Sequence, residues 1–412
     1  MKQGFEISLG SDKDLVSKDN LTDRVFKIGI KAPASTVKKD RPALNISIII
    51  DRSGSMSGGK LDYAKMAAQH VVKLLNEQDH VSVVCFDDSV TVVAPSVQAT
   101  SANKHFVTES IAGIREGGST NLSGGWLKGC QLIAETQQAE QLCRAILLTD
   151  GEANSGIVDP SELAKHAQEI SGRGISTTTF GIGLGFNEHL LEAIATNGRG
   201  NFHYIASPEQ IPQLFERELG ELGEIMIKNI NVELMVPFGY NFRVLGSYIN
   251  LPLGNKVTIK VNDLFSEAVE EVYVIATIHN QPDIASIGCV VTLTGLDTEN
   301  QPVSFQAEHI LTYAGQADVD AAPALPELVA RYAEVTLSDL QTEGLRMERR
   351  GEGPMAAEKI MAALMKFRSF LAADRVYYYT HVADRMRSNN MAEMEHKEMH
   401  TISYNTKKNR QW

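Results

Sequence analysis

The stretch Ile48-Ile49-Ile50-Asp51-Arg52-Ser53-Gly54-Ser55-Met56-Ser57 runs from an apolar segment into an acid, and then into two hydroxyls at alternate positions. An apolar run of this kind reads as a strand buried on both faces, the pattern of a parallel sheet covered by helices. In an extended chain alternate side chains share a side. The Asp51 carboxylate and the Ser53 and Ser55 hydroxyls are therefore expected to converge at the carboxyl end of the strand. Open α/β sheets bind ligands at that edge. Three hard oxygen groups meeting there suit a small divalent cation such as Mg²⁺.

Working outward, residues 44–222 alternate strand and helix patterns. Strands are expected at 45–51, 81–86, 144–150, 175–182 and 202–205, with 90–93 as a short antiparallel companion to 81–86. Helices are expected at 60–75, 122–137, 161–170, 188–195 and 208–222. The helix at 60–75 carries Leu61, Ala64, Ala67, Ala68, Val71, Val72 and Leu75 at helical spacing. Such alternation implies a mostly parallel sheet with helices on both faces.

From about residue 225 the period becomes two. Strands at 231–236, 242–245, 256–261, 271–279, 287–294 and 304–312 predict a small β-sandwich. The strands read at 3–9 and 24–32 have no sheet of their own, so they are expected to pair into this sandwich, with the α/β domain inserted between. Two helices, 323–345 and 355–373, follow. The expected organisation is 1–42 amino-terminal strands, with a polar connector over 31–42. Then come 43–222 α/β domain, 223–318 β-sandwich, 319–380 helical segment, and 381–412 a polar, partly disordered tail.

Composition narrows the function classes. Of the 412 residues 43% are hydrophobic and 22% charged, which fits globular domains with sizeable cores. A net charge of -12 argues against general nucleic-acid binding, which needs a basic face. No segment approaches the roughly 20 apolar residues of a transmembrane helix, and Met1 to Ile7 lacks a secretory apolar core. Cys85, Cys130, Cys143 and Cys289 form no Cys-x-x-Cys pair and read as buried free thiols, so a cytoplasmic location is expected.

Two later loops complete the opening motif. Gly117-Gly118-Ser119-Thr120-Asn121 is a turn offering the Thr120 hydroxyl before a helix, and Leu147-Leu148-Thr149-Asp150-Gly151 is a buried strand ending in Asp150. At this point the chain resembles the von Willebrand factor A domain family. Its metal-ion-dependent adhesion site takes an Asp-x-Ser-x-Ser loop, a Thr from a second loop and an Asp from a third. The resemblance covers roughly residues 43–222. It implies a Rossmann-like α/β fold and a cation site of Asp51, Ser53, Ser55, Thr120 and Asp150. The three hydroxyls would face the ion, and the two acids would act directly or through water. Mg²⁺ is the expected ion, with Mn²⁺ or Ca²⁺ as alternatives. The overall layout, including residues 257–278, is similar to proteins in which this domain precedes a β-sandwich. Relatives of the inter-alpha-trypsin inhibitor heavy chains, calcium-activated chloride channel regulators and many bacterial proteins are built this way.

The implied function is a non-enzymatic interaction module whose protein partner supplies an Asp or Glu to the ion. The alternative is an accessory subunit of a AAA+ ATPase machine, and a nucleotide or metal-dependent hydrolase ranks below both. Gly54 to Lys60 does fit Gly-x-x-x-x-Gly-Lys of a phosphate-binding loop, but Leu61 stands where such a loop needs Ser or Thr. Lys60 then reads as a helix start, and Arg52 as facing solvent or partner. His396 and His400, one helical turn apart, do not match a zinc-protease motif and read as part of a solvated tail. Gly181-Ile182-Gly183-Leu184-Gly185 reads as a loop, and Tyr377-Tyr378-Tyr379 as packing surface.

Overall fold

The structure is a computed structural model and describes residues 5–33, 42–138, 141–151, 153–183, 186–223, 225–297 and 299–408. The chain opens with β1 (Glu6–Ser11), β2 (Leu15–Ser17) and β3 (Thr22–Lys31). It then runs through β4 (Leu44–Asp51), α1 (Lys60–Leu74), β5 (His80–Phe86), β6 (Val90–Gln98), α2 (Ser101–Ala112) and α3 (Leu122–Thr136). Next come β7 (Leu142–Thr149), α4 (Pro160–Gly172), β8 (Ile175–Ile182), α5 (Glu188–Asn197), β9 (Arg199–Ile205) and α6 (Ile211–Gly223). The chain separates into two units, Thr36–Ile225 and the remainder, Met1–Ser35 with Met226–Trp412.

The first unit is built on a six-stranded sheet of order β6-β5-β4-β7-β8-β9. All neighbours are parallel except β5 and β6. Every residue of β4 and β7 is buried, because helices cover both faces and leave no solvent side for polar alternation. Ile46, Ile48 and Ile50 of β4 share a core with Ala64, Ala68 and Val72 of α1 and Phe215 of α6. Ile49 points to the other face, where a Cβ on Gly129 of α3 would touch its side chain.

In the second unit β10 (Ile225–Met235), β11 (Gly239–Val244), β12 (Ile249–Leu253), β13 (Lys256–Lys260), β14 (Leu264–Phe265), β15 (Val269–Ile278), β16 (Ser286–Asp297) and β17 (Pro302–Ala314) join the amino-terminal strands. One sheet has the order β1-β3-β15-β11; the other runs β12-β13-β10-β16-β17-β2. β3 pairs with β15 over ten positions, from Thr22–Ile278 to Lys31–Val269. Phe26, Ile28, Val272 and Val274 from one sheet and Val232, Leu234, Val291 and Leu293 from the other share a core, the interior of a sandwich.

Helices α7 (Gln316–Ala321), α8 (Pro326–Arg349), α9 (Gly353–Phe367), α10 (Ala373–Arg387) and α11 (Glu393–Lys407) follow. Val329, Tyr332 and Ala333 of α8 pack on Val25 and Tyr273 of the four-stranded sheet. The stretch 381–407, expected as a partly disordered tail, is largely helical, and α11 is tied down by buried polar pairs. Gln341 donates to the Met399 carbonyl at 2.6 Å, and Thr342 and Ser403 share a 2.7 Å hydroxyl contact. His396 and His400, expected in solvent, are buried; His396 Nε2 lies 2.8 Å from Glu348 Oε2. Residues 409–412 of that tail, 34–41 of the polar connector and 184–185 of the glycine loop lie outside the described residues. Of the three tyrosines Tyr379 is buried and Tyr377 exposed. All four cysteines are buried, and none is in a disulfide. Among the described residues no helix is long and apolar enough to cross a membrane.

Candidate metal centre

The sheet order puts β4 between β5 and β7. From β4 the chain steps one way to β5, and it later returns to lay β7 on the other flank. Connections leave in opposite directions there, so a crevice opens beyond the strand ends. Asp51 is the last residue of β4 and Asp150 directly follows β7. Ile50 and Leu148 are paired in register behind them. Both acids are fully buried.

The serines reach this crevice by a route other than the expected strand alternation. After Asp51 the chain leaves the sheet and coils into a 3₁₀ turn, Gly54–Met56. The turn brings Ser53 Oγ and Ser55 Oγ to 3.0 Å. Ser53 N–H donates to Asp51 Oδ1 at 2.9 Å, and Ser55 Oγ donates to Asp150 Oδ1 at 2.9 Å. Asp51, Ser53, Ser55 and Asp150 thus form one continuous chain of polar groups.

Thr120 stands on a second loop and is also buried. That loop is laced to the first by Gly117 N–H to the Arg52 carbonyl (2.7 Å) and Gly54 N–H to the Gly118 carbonyl (2.8 Å). The Thr120 carbonyl accepts from the Asn154 and Ser155 amides at 3.1 and 3.0 Å, which ties in the third loop. Among the described residues no hydrogen bond joins the Thr120 hydroxyl to the other four side chains.

Electrostatics set this pair of acids apart. Burial pushes the Asp51 carboxyl up to about 6, against bonds from Ser53 and Thr149 that pull it down, and the charge of Asp150 adds to the rise. The donors around Asp51 are neutral, and neutral donors do not balance its buried charge. The two acids with the Ser53 and Ser55 hydroxyls make an all-oxygen, hard donor set, which fits a small divalent cation.

Three contributors escape sequence reasoning. Thr149 donates its hydroxyl to Asp51 Oδ2 at 2.6 Å and accepts from Gly151 N–H at 2.8 Å. Asp87, just beyond the end of β5, takes an ion pair from Arg52 at 3.1 Å and a hydrogen bond from Gly118 N–H at 3.4 Å. Arg52, expected to face solvent or partner, is instead half-buried and braces the two loops. Gly117 makes room for this brace, since a Cβ there would lie 1.9 Å from Asp87 Oδ2. The signal for Asp87 was available: it is an acid at the carboxyl end of a strand next to β4. Lys60, read only as a helix start, also reaches in, with Nζ 3.0 Å from Asp150 Oδ2.

The fold and the loops define a Rossmann-like α/β domain with an oxygen-rich site at its switch point. Residues 45–217 match the family model of the von Willebrand factor type A domain, and the chain carries a domain of that family. Domains of this family serve in protein–protein interaction, often with a divalent cation.

Among similar proteins, the uncharacterized protein sll0103 of Synechocystis is 28% identical over 54% of this chain and 52% of its own length. YfbK of Escherichia coli is 27% identical over 48% of this chain and 34% of its own. Inter-alpha-trypsin inhibitor heavy chain H3 of Mesocricetus auratus is 27% identical over 46% of this chain and 22% of its own. The matches thus take in about half or less of these relatives' lengths. A solved von Willebrand factor type A protein from Catenulispora acidiphila shares the fold at a TM-score of 0.74 and 17% identity, covering 97% of this chain and 96% of that one. The ArnB paralog VWA2 from Sulfolobus acidocaldarius does so at 0.64 and 16%, covering 98% of each.

Proposed function

We propose that this protein is a divalent-cation-dependent interaction module. Asp51, Ser53, Ser55, Thr120 and Asp150 would hold Mg²⁺, Mn²⁺ or Ca²⁺, and a protein partner would add an Asp or Glu. The observation that carries the reading is the pair of buried carboxylates spanned by Ser53 and Ser55, with Asp51 pushed up to about 6 by burial and by the charge of Asp150. When bound, the ion supplies Lewis acidity and a coordination position that can take a carboxylate.

The chain's own residues prepare that position. Thr149 fixes one Asp51 oxygen and the Ser53 amide the other, so this acid is oriented before any ion arrives. Three of the five donors are neutral hydroxyls, so only the two carboxylates offset the ion's charge, and a further anionic ligand can still be taken up. Binding of this kind needs no nucleophile and no general base, so no turnover is expected. The four buried cysteines, none of them in a disulfide, also support a reducing compartment such as the cytoplasm; fractionation that finds the chain outside the cell would contradict that part.

The test is a pull-down from native lysate with Mg²⁺ and with chelator in parallel, for the natural chain and Ser53→Ala. Capture that needs both Mg²⁺ and Ser53 is the expected result. Capture that survives chelator and Ser53→Ala contradicts the reading.

A further inference from the structure

Lys60 is the first residue of α1, and its side chain turns back across the 3₁₀ turn into the site. Its ammonium donates to Asp150 Oδ2 at 3.0 Å and to the Ser55 carbonyl at 2.9 Å. The stem is cradled as well. Gly183, at φ +75°, lies just past β8, and a Cβ there would come within 2.8 Å of Lys60 Cε, 3.1 Å of Cδ and 3.3 Å of Cγ. Asp150 is buried, while the Lys60 side chain is about one-quarter exposed. Its two carboxylate oxygens are thus divided: Ser55 donates to Oδ1 and Lys60 to Oδ2.

We propose that Lys60 is a tethered counter-cation that sets the charge of the cation site. The inference rests on the cation reading above. With Lys60 in place, Asp51, Asp150 and the ammonium sum to one negative charge, whereas the two acids alone would present two. A divalent cation held there is bound less tightly. The loaded site keeps one more positive charge to attract a partner's carboxylate. Like charges a few ångströms apart at a half-buried site repel strongly enough to matter on this scale. In the absence of metal the same ammonium keeps Asp150 from standing buried without a cationic partner.

The experiment compares the full-length natural chain with Lys60→Met and Lys60→Arg. Mn²⁺ affinity is measured by calorimetric titration, and thermal melting is followed in chelator and in saturating Mn²⁺. Lys60→Met is expected to bind Mn²⁺ at least about tenfold more tightly, to melt lower than the natural chain in chelator, and to gain more melting temperature from Mn²⁺. Lys60→Arg, which keeps the charge, should stay within about threefold of the natural affinity. Lys60→Gln, which keeps a donor without charge, gives the same reading should Lys60→Met fail to fold.

If both chains bind Mn²⁺ equally, or Lys60→Met binds more weakly, the counter-cation role is overturned while the cation site stands. If neither chain binds Mn²⁺, both ideas fall. Tight binding by Lys60→Met beside undetectable binding by the natural chain supports the proposal.

Discussion

Two buried acids of the α/β unit, Asp51 and Glu218, have equal claim to be costly and meet that cost in opposite ways. Glu218 sits on α6 beneath the sheet. Its Oε1 accepts from Thr178 at 2.6 Å and from Arg144 at 3.3 Å, and its Oε2 from Asn201 at 2.8 Å, with His203 Nε2 at 3.1 Å. Burial alone would raise this carboxyl, but Arg144 and His203 outweigh it and hold Glu218 well below the usual carboxylate range. Asp51 is as deeply buried, yet burial wins there because its direct donors, Ser53 and Thr149, are neutral. A buried acid whose charge the protein itself balances belongs to the scaffold. One left short of positive charge, under the function proposed above, is a place prepared for a cation from outside.

The largest expected effect breaks the scaffold side. Arg144→Met leaves Glu218 buried without its full charge partner, which costs about 3–5 kcal/mol. Urea unfolding measures this, and the loss should be the same with Mg²⁺ or chelator, because Arg144 serves no ion. Asp51 should behave with the opposite sign. Its carboxyl is raised from the ordinary 3.8 to about 6, so the native chain keeps a proton that the unfolded chain has released. The stability this group contributes is therefore full below about pH 4, falls as pH rises to about 6, and is level above. In chelator, Asp51→Asn should match the natural chain near pH 4 and exceed it by about 3 kcal/mol at pH 7. For Glu218 the window is reversed: its contribution is present above about pH 4.5 and is lost as pH falls.

Smaller effects sharpen the comparison. Ser53→Ala should weaken Mg²⁺ affinity by about tenfold or more while leaving stability in chelator nearly unchanged, as titration and melting would show. Arg52→Gln removes the ion pair from a partly exposed arginine to the buried Asp87, which keeps its bonds from Ser89 and Gly118, and should cost about 1 kcal/mol by urea unfolding.

Much of the α/β unit was legible because its signals are local and strong. The run ending at Asp51 and the run ending at Asp150 mark adjacent strand ends, and the periodic apolar set on α1 marks its buried face. What escaped had weaker signatures. α2 buries only Val107 and Ile111 and leaves Phe106 exposed, so it carries little apolar period, though Thr100 caps it by accepting from Asn103 N–H. β12 is an edge strand with four exposed residues and a proline. α11 looked like solvated tail because most of its buried residues are polar: His396, Lys397, His400 and Ser403 are buried beside Met399 and Tyr404. At the site itself, residue types were readable and their geometry was not. The serines converge through a 3₁₀ turn, and Lys60 and Asp87 reach the loops only because β4, β5 and β7 lie side by side.

If Asp51 and its neighbours form a cation site, uptake of the ion must depend on Asp51. The direct measurement is calorimetric titration of Mg²⁺ into the chelator-stripped natural chain at pH 7, beside Asp51→Asn. One saturable ion per natural chain, and no saturable binding to the folded Asp51→Asn chain, is the expected result. Equal Mg²⁺ binding by the two chains, or none by the natural chain and by Lys60→Met alike, would contradict it.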